Sequence, residues 1–260
     1  MITVLTATYN RAHTLTRLYE SLSTQADTDF IWLIVDDGSS DETAQLIESF
    51  IASSAINIVY LRKANGGKHS ALNTGVESLS DGWVLIVDSD DALAPHAIAN
   101  IRSAICEQSS RNYAGLCFRK AFFDGKVVGR DDALSRVRKE MLPAKAGEIF
   151  RGDLAYMFRV KVIKKYLFPI IPGENFVPEL YIWNKVAEDG GVFYYGDLAI
   201  YCCEYLEGGY SAGFESNLRR NPLGFLIFYV SQIRREPTWL RKLKCIIRVG
   251  QCLVFASRRS

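Results

Sequence analysis

Within the first 110 residues, four short apolar runs alternate with helix-period patterns, and each run stops at a cluster of polar and glycine residues. The runs are residues 2–7, 30–35, 56–61 and 83–87. Between them apolar residues recur at helical spacing: Leu15, Leu18 and Leu22, then Leu46, Ile47 and Phe50, then Leu72, Val76 and Leu79. Such alternation builds parallel strands joined by crossover helices. A fourth helix is expected to carry Pro95 in its first turn and to bury Ile98, Ile101 and Ile105. The clusters are Tyr9-Asn10-Arg11, Asp36-Asp37-Gly38-Ser39, Asn65-Gly66-Gly67-Lys68 and Asp88-Ser89-Asp90-Asp91. In an open parallel sheet the loops at the carboxyl ends of the strands converge on one edge, where ligands bind. The four clusters therefore describe one site.

The second half is less regular. Residues 113–123 read as a strand, Asp124-Gly125-Lys126 as a turn, and 155–166 as a strand passing into a helix. Residues 169–178 form a loop rich in Pro, Gly and Asn. A short helix follows over 179–188, burying Leu180, Trp183 and Val186, and two short strands over 192–195 and 199–204 finish the sheet. No repeat or low-complexity stretch interrupts the chain.

With 260 residues, 48% hydrophobic and 12% aromatic, the chain supports one large core with an appended arm, which excludes disorder as its main state. The net charge of +2 is unevenly placed. Residues 222–260 hold eight Lys/Arg (Arg234, Arg235, Arg241, Lys242, Lys244, Arg248, Arg258, Arg259) against the single acid Glu236, which leaves the first 221 residues at −5. An acidic, metal-using body with a basic tail follows, and such a tail suits an anionic lipid, an anionic acceptor or nucleic acid. In that tail Leu240, Leu243, Ile247, Gly250 and Val254 share one helical face among the basic residues. The helix either lies on an anionic bilayer surface or packs on the body with its charges solvated.

Cys106, Cys117, Cys245 and Cys252 sit in apolar surroundings, and the adjacent Cys202 and Cys203 point to opposite faces of a strand, so reduced core cysteines are expected rather than zinc ligands. A cytosolic compartment is the matching expectation. The sequence opens directly on a strand without a leader-like segment, and nowhere do 18 predominantly apolar residues run together, so neither a signal peptide nor a membrane span is expected.

Three carboxylates at the exit of the fourth strand repel unless a cation sits among them, and hard divalent ions prefer carboxylate and phosphate oxygens. A metal bridging such carboxylates to a diphosphate would neutralise a leaving group. The plainer alternative is an Asp-rich turn capping the next helix. In the second cluster, Ser40 or Asp41 caps the following helix and Gly38 makes the turn, but capping does not account for the pair Asp36-Asp37, whose strand-tip position suits hydrogen bonds from a base or ribose. Asn65-Gly66-Gly67-Lys68 lacks the P-loop spacing, yet its glycines and Lys68 could approach phosphates; a turn with a solvated lysine is the other reading. His13, His69 and His96 read as helix-start or surface residues. Tyr181, Trp183, Tyr194 and Tyr195 could stack on sugars but fit a core stripe better.

Residues 4–11 (Val-Leu-Thr-Ala-Thr-Tyr-Asn-Arg), 34–41 (Ile-Val-Asp-Asp-Gly-Ser-Ser-Asp) and Asp88-Ser89-Asp90-Asp91 resemble, in order and spacing, three signatures of family 2 glycosyltransferases. The resemblance covers residues 1–110. It implies an α/β GT-A fold, Rossmann-like, with a mostly parallel central sheet flanked by helices and a C-terminal helical extension. Residues 1–110 would form the nucleotide-sugar-binding half and 111–221 the acceptor half, with 222–260 as a basic amphipathic tail. Thr8, Tyr9 and Arg11 would line the nucleotide pocket, Asp37 would contact the uracil ring, and Lys68 would lie near base or diphosphate. Asp88 and Asp90 match the D-x-D pattern, with Asp90 or Asp91 holding a divalent metal, Mn²⁺ or Mg²⁺, and a neighbour contacting ribose.

The implied activity is inverting transfer from a nucleotide-diphosphate sugar, a UDP-sugar first, to a saccharide or lipid-linked glycan acceptor in cell-surface polysaccharide synthesis. Its place would be the cytoplasm, either free or peripheral on the inner face of the cytoplasmic membrane, with no nucleic-acid partner. Inversion needs a carboxylate base, and the segment Gly173-Glu174-Asn175-Phe176-Val177-Pro178-Glu179 resembles the acidic motif before the family's acceptor-side helix. Glu179 is the first candidate and Glu174 the second, although the stretch departs from the family's more familiar Glu-Asp pair. Glu179 as a first-turn acid favoured by the helix dipole is the structural alternative. A sugar nucleotidyltransferase would need a glycine-rich loop after the first strand, and residues 6–11 contain no glycine; a dinucleotide oxidoreductase fails because G-x-G-x-x-G is missing there. A silent binding or scaffold domain is the remaining rival.

Overall fold

The computed structural model describes residues 1–204 and 213–258; Arg259, one of the tail cations, lies outside the described residues. The first half runs β1 (Ile2–Thr8), α1 (Ala12–Ser23), β2 (Ile31–Asp36), α2 (Thr43–Ser53), β3 (Asn57–Arg62), α3 (Lys68–Ser78), β4 (Trp83–Ile86), β5 (Ala92–Leu93) and α4 (Ala97–Glu107). The second half continues with β6 (Gly115–Phe122), β7 (Arg138–Glu140), α5 (Pro143–Phe150), β8 (Leu154–Arg159), α6 (Val160–Ile163), α7 (Leu180–Gly190) and β9 (Val192–Cys203). Three helices end the described chain: α8 (Phe214–Arg220), α9 (Pro222–Ile233) and α10 (Trp239–Ser257).

Among the described residues the strands form one nine-stranded sheet in the order β3-β2-β1-β4-β8-β6-β9-β5, with β7 pairing on β9. β1, β2, β3 and β4 are parallel, and the register sets Thr8 beside Asp36 and Asp36 beside Arg62, so the strand tips align. β8 enters antiparallel between β4 and β6, and β9 lies parallel to β6. Side chains alternate between two cores. Val4, Trp32, Ile34 and Leu85 face α1, α2 and α4, while Leu5, Leu33, Val35 and Val84 face α3 and α7.

Several sequence expectations change. Residues 192–203 form one strand, not two: Gly196 donates its N–H to Val137 O at 2.8 Å, so the apparent turn is a bulge kept inside the sheet, where the register with β6 slips around Arg119. Pro95 precedes α4 instead of opening it, because His96 takes the left-handed conformation at φ 61° and the helix starts at Ala97. Cys106, expected in apolar surroundings, is exposed on α4, and His69, expected at a surface helix start, is buried edge-on to Phe168. β7 and α5 carry too weak a periodicity to be anticipated, although Pro143 opens α5 as a first-turn proline should. The terminal helices add a third, smaller core in which Leu218, Phe225 and Cys252 meet Phe176 and Phe255. Among the described residues, no helix is long and apolar enough to cross a membrane.

Candidate active site

The loops after β1 and β2 are stitched together before any ligand is considered. Asn10, left-handed at φ 52°, donates its N–H to Ser39 Oγ at 2.9 Å and accepts from Ser40 N at 2.8 Å. Arg11 N donates to Thr43 Oγ1, and Asp41 accepts from Ala12 N and Thr43 N, so Asp41 ties the starts of α1 and α2 together instead of capping α2 alone. The reciprocal bonds satisfy donors that a helix start leaves open and fix both loops along the same edge.

The two aspartates of the second cluster have different work. Asp36 is fully buried and accepts from Ser39 N and Tyr60 Oη, both at 2.8 Å. Burial, then the Asp36 carboxylate, pushes the Tyr60 hydroxyl up to about 12. Asp37 is also buried, yet lines the cavity described below. Its carboxylate accepts from Lys63 Nζ at 2.8 Å, Asn65 Nδ2 at 3.1 Å, Gly66 N at 3.0 Å and Gly67 N at 2.6 Å. A carboxylate offers about four lone-pair sites, so Asp37 is the clamp of the glycine loop as well as part of the wall. Gly67 sits at φ +88°, where a Cβ would run into the carbonyl of Asn175, and only glycine fits both constraints.

Below this edge opens a cavity of about 1120 Å³. Thr8, Tyr9, Arg11, Asp37 and Lys68 line one side, Asp88, Ser89, Asp90 and Asp91 the floor, and Phe176, Glu179 and Trp183 the other side. Thus the residues that the family resemblance assigned to nucleotide, metal and base all line one space, except Glu174; Asp36 does not reach it. Thr8 Oγ1 is buried without a partner, while Tyr9 is 48% exposed at the rim. Oxygens of Asp88, Asp90 and Asp91 can come within 4.8 Å of one another. Three carboxylates that close fit a hard divalent ion, and their oxygen-only donor set suits Mg²⁺ or Mn²⁺.

Electrostatics distinguish the three acids. Burial, then the charge on Asp88, raises Asp91 to about 7; its Oδ2 accepts from Tyr201 Oη at 2.7 Å and lies 3.9 Å from Lys120 Nζ. Tyr201 Oη in turn accepts from Asp88 N at 2.9 Å, so one hydroxyl braces both ends of the turn. For Asp88, burial opposes ionisation, but Lys68 and Lys120 outweigh it and hold the carboxyl below its ordinary value. Asp90 is 3.8 Å from Arg11, and its backbone carbonyl accepts from Arg17.

Lys68, at the start of α3, joins the acids after β4 to Glu179 before α7. Its Nζ lies 2.5 Å from Asp88 Oδ1 and 2.8 Å from Glu179 Oε1. Burial works against the ammonium, but the two carboxylates more than offset it and raise its pKa. The Glu179 contact is an ion pair off the line of an aligned hydrogen bond. Glu179 immediately precedes α7, as the sequence led one to expect, and accompanies Trp183. Trp183 packs on Phe158 and Phe168 while its edge reaches the cavity; Tyr194 and Tyr195 belong to the core.

Glu174, the second candidate base, stands elsewhere. It is buried and not part of the cavity wall, and its two oxygens accept from Leu223 N and Gly224 N, each at 2.8 Å, under the first turn of α9. Its amide replacement keeps only one acceptor atom. Glu174→Gln is therefore expected to cost about 1–3 kcal/mol of stability, read as a shifted urea midpoint, and to leave turnover near that of the wild type.

Sequence reasoning missed Lys120, Asp153, Tyr201 and Glu204. The first and third reach the floor from β6 and β9, and no local motif announces them because their approach depends on strand pairing.

The model of glycosyl transferase family 2 matches residues 3–167, more than half of the chain. The chain belongs to this family. Its fold is that of solved GT-A glycosyltransferases. S. aureus TarS 1–349 in complex with UDP-GlcNAc aligns at TM-score 0.68 with 20% identity, covering 97% of this chain and 71% of that one. The mannosyltransferase PcManGT of Pyrobaculum calidifontis, in complex with GDP-Man and Mn²⁺, aligns at TM-score 0.64 with 17% identity, covering 99% and 74%. Among curated family members, the GalNAc(5)-diNAcBac-PP-undecaprenol beta-1,3-glucosyltransferase of Campylobacter jejuni is 23% identical over 235 residues, 86% of this chain and 72% of that protein. The chain spans only 15% and 58% of two other relatives, GlyA and GlyG of Streptococcus pneumoniae.

Proposed function

We propose that this family 2 member is an inverting, metal-dependent glycosyltransferase, hexosyltransferase in type, that moves a sugar from a UDP-sugar to a saccharide or lipid-linked glycan in cell-surface polysaccharide synthesis. The observation that carries the reading is the single cavity in which the D-x-D carboxylates and the Glu179 carboxylate face each other across Lys68. The uridine donor is supported by the family resemblance and by the TarS complex with UDP-GlcNAc; the acceptor class is supported by the name of the Campylobacter relative. Residues 1–221 are assigned to catalysis, 1–110 to the donor and 111–221 to the acceptor, with 222–260 as an appended tail.

On this reading Thr8, Tyr9 and Arg11 form the nucleotide wall, and the unpartnered Thr8 hydroxyl takes up a donor hydrogen bond. Asp37 meets the base edge by exchanging the Lys63 ammonium for a base N–H, while its bonds to Gly66 N and Gly67 N keep the glycine loop in place. A divalent ion held by Asp90 and Asp91, with Asp88 beside it, would neutralise charge on the departing diphosphate. Glu179 removes the proton of the acceptor hydroxyl. The freed oxygen forms a bond to the anomeric carbon from the face opposite the diphosphate, which leaves with the electron pair of the broken C–O bond. Lys68, with its ammonium 2.8 Å from Glu179 Oε1, holds that carboxylate in place on the wall facing the donor.

Calorimetry with a panel of nucleotides and nucleotide sugars, with and without Mn²⁺, is the direct test. Metal-dependent binding of a uridine diphosphate species is the expected result, and the sugar it prefers names the donor. Failure of every nucleotide to bind in either condition would sink the enzyme reading.

A further inference from the structure

We propose that the outer face of α10 is a docking surface for an anionic lipid bilayer. The sequence left two options for this helix, packing on the body or lying on a membrane, and the structure separates the two faces. α10 turns Cys245 and Cys252 inward, both buried, and Cys252 shares a core with Phe225 of α9. The stripe of Leu240, Leu243, Ile247, Gly250 and Val254 points the other way. Its apolar side chains remain between 42% and 66% exposed, and Trp239 at the helix start is 74% exposed. An apolar face this long on the outside of a folded body marks a contact surface, because isolated exposed apolar residues do not line up at helical spacing by accident.

Charge identifies the occupant. Trp239–Ser257 contains Arg241, Lys242, Lys244 and Arg248 and no acidic residue. Arg241 is held by Glu148 and Glu236, whereas Lys242 and Lys244 have no ion pair among the described residues. A second copy seated by two-fold symmetry would set cations against cations with no acid on the helix to pair them. An anionic headgroup layer complements both features: the apolar stripe enters the acyl boundary while the lysines meet phosphates. Four cations and the absence of any span-length apolar helix among the described residues exclude insertion across the bilayer by α10.

The surface is joined to the active site. Phe176 lines the cavity, and its ring lies 5.4 Å from that of Phe225, which shares a core with Cys252 of α10. A lipid-carried acceptor would thus be held at a surface whose supporting core adjoins the cavity wall. That consequence rests on the glycosyltransferase reading; the docking itself does not.

The test is sedimentation of the full chain with vesicles of phosphatidylcholine alone or mixed with phosphatidylglycerol. Binding is expected only to the mixed vesicles, weakening as salt rises. The double variant Leu243→Glu/Ile247→Glu should reduce that binding by at least about tenfold, and Lys242→Glu/Lys244→Glu should do the same. Leu243, Lys244 and Ile247 are exposed and Lys242 is half-buried, and none of the four belongs to a core, so unchanged thermal unfolding and unchanged nucleotide binding should accompany the loss. Equal binding to neutral vesicles, equal binding by the variants, or a dimer in solution that Leu243→Glu/Ile247→Glu dissociates would overturn the proposal. Because no turnover is measured, failure here is distinguishable from failure of the enzymatic reading.

Discussion

Glu179→Gln is expected to lower kcat by about 10²–10⁴-fold while donor affinity stays within a few-fold of the wild type. The amide keeps the shape of the side chain and its place before α7, but it cannot accept the acceptor's proton. Lys68 loses one of its two anionic partners and retains Asp88, so the donor side stays assembled. Steady-state kinetics with saturating donor, paired with calorimetry for UDP, separates the two quantities. Wild-type turnover by this variant would remove Glu179 as the base and direct attention to Asp153 and Glu204, the other acids of that cavity outside the strand-end clusters. Glu174→Gln is the matched control, since it removes a carboxylate that serves the α9 N-terminus.

Asp90→Ala should weaken Mn²⁺-dependent binding of a uridine diphosphate by about 100-fold, ~2.7 kcal/mol at 1.36 kcal/mol per tenfold. Asp91 and Asp88 remain, but Asp88 is engaged by Lys68 and Asp91 by Tyr201 and Lys120, which leaves Asp90 as the acid of the three with the weakest protein contact, Arg11 at 3.8 Å. The effect should vanish when metal is withheld, because both proteins then bind donor through Thr8, Tyr9, Arg11 and Asp37 alone. A loss of equal size with and without Mn²⁺ would show that Asp90 contacts the nucleotide and that the ion is held elsewhere.

The first half was the legible part because each of its signals is local. Short apolar runs, helical spacing and turn residues at strand ends all act within a dozen residues, and parallel pairing then aligns Thr8, Asp36 and Arg62 along the edge. Glu179 was legible for the same reason, as an acid just before a helix with an apolar face. Within that half, the division of labour between Asp36 and Asp37 was hidden: the neighbours that occupy both carboxylates arrive from β3 and the glycine loop.

In the second half the local signals misled. Gly196-Asp197-Leu198 has the composition of a turn, yet bonds to residues near β7 keep it in the sheet as a bulge. Glu179 and Glu174, ranked first and second as candidate bases, are acids of one loop with no local signal of their different partners. Only the seating of α9 over Glu174 set them apart, since two unpartnered N–H groups at a helix start demand an acceptor and Glu174 supplies both oxygens.

By itself, then, the sequence determined the parallel α/β first half, the family of the chain and the cluster of acids at the strand ends, because periodicity and turn chemistry are short-range. Tertiary structure alone decided that Lys68 spans Asp88 and Glu179, that Tyr201 and Lys120 brace the metal-fit carboxylates, and that α10 packs by its cysteine face with its apolar stripe outward. Those outcomes depend on which distant strand or helix arrives alongside, and side-chain partners separated by a hundred residues leave no pattern in either segment.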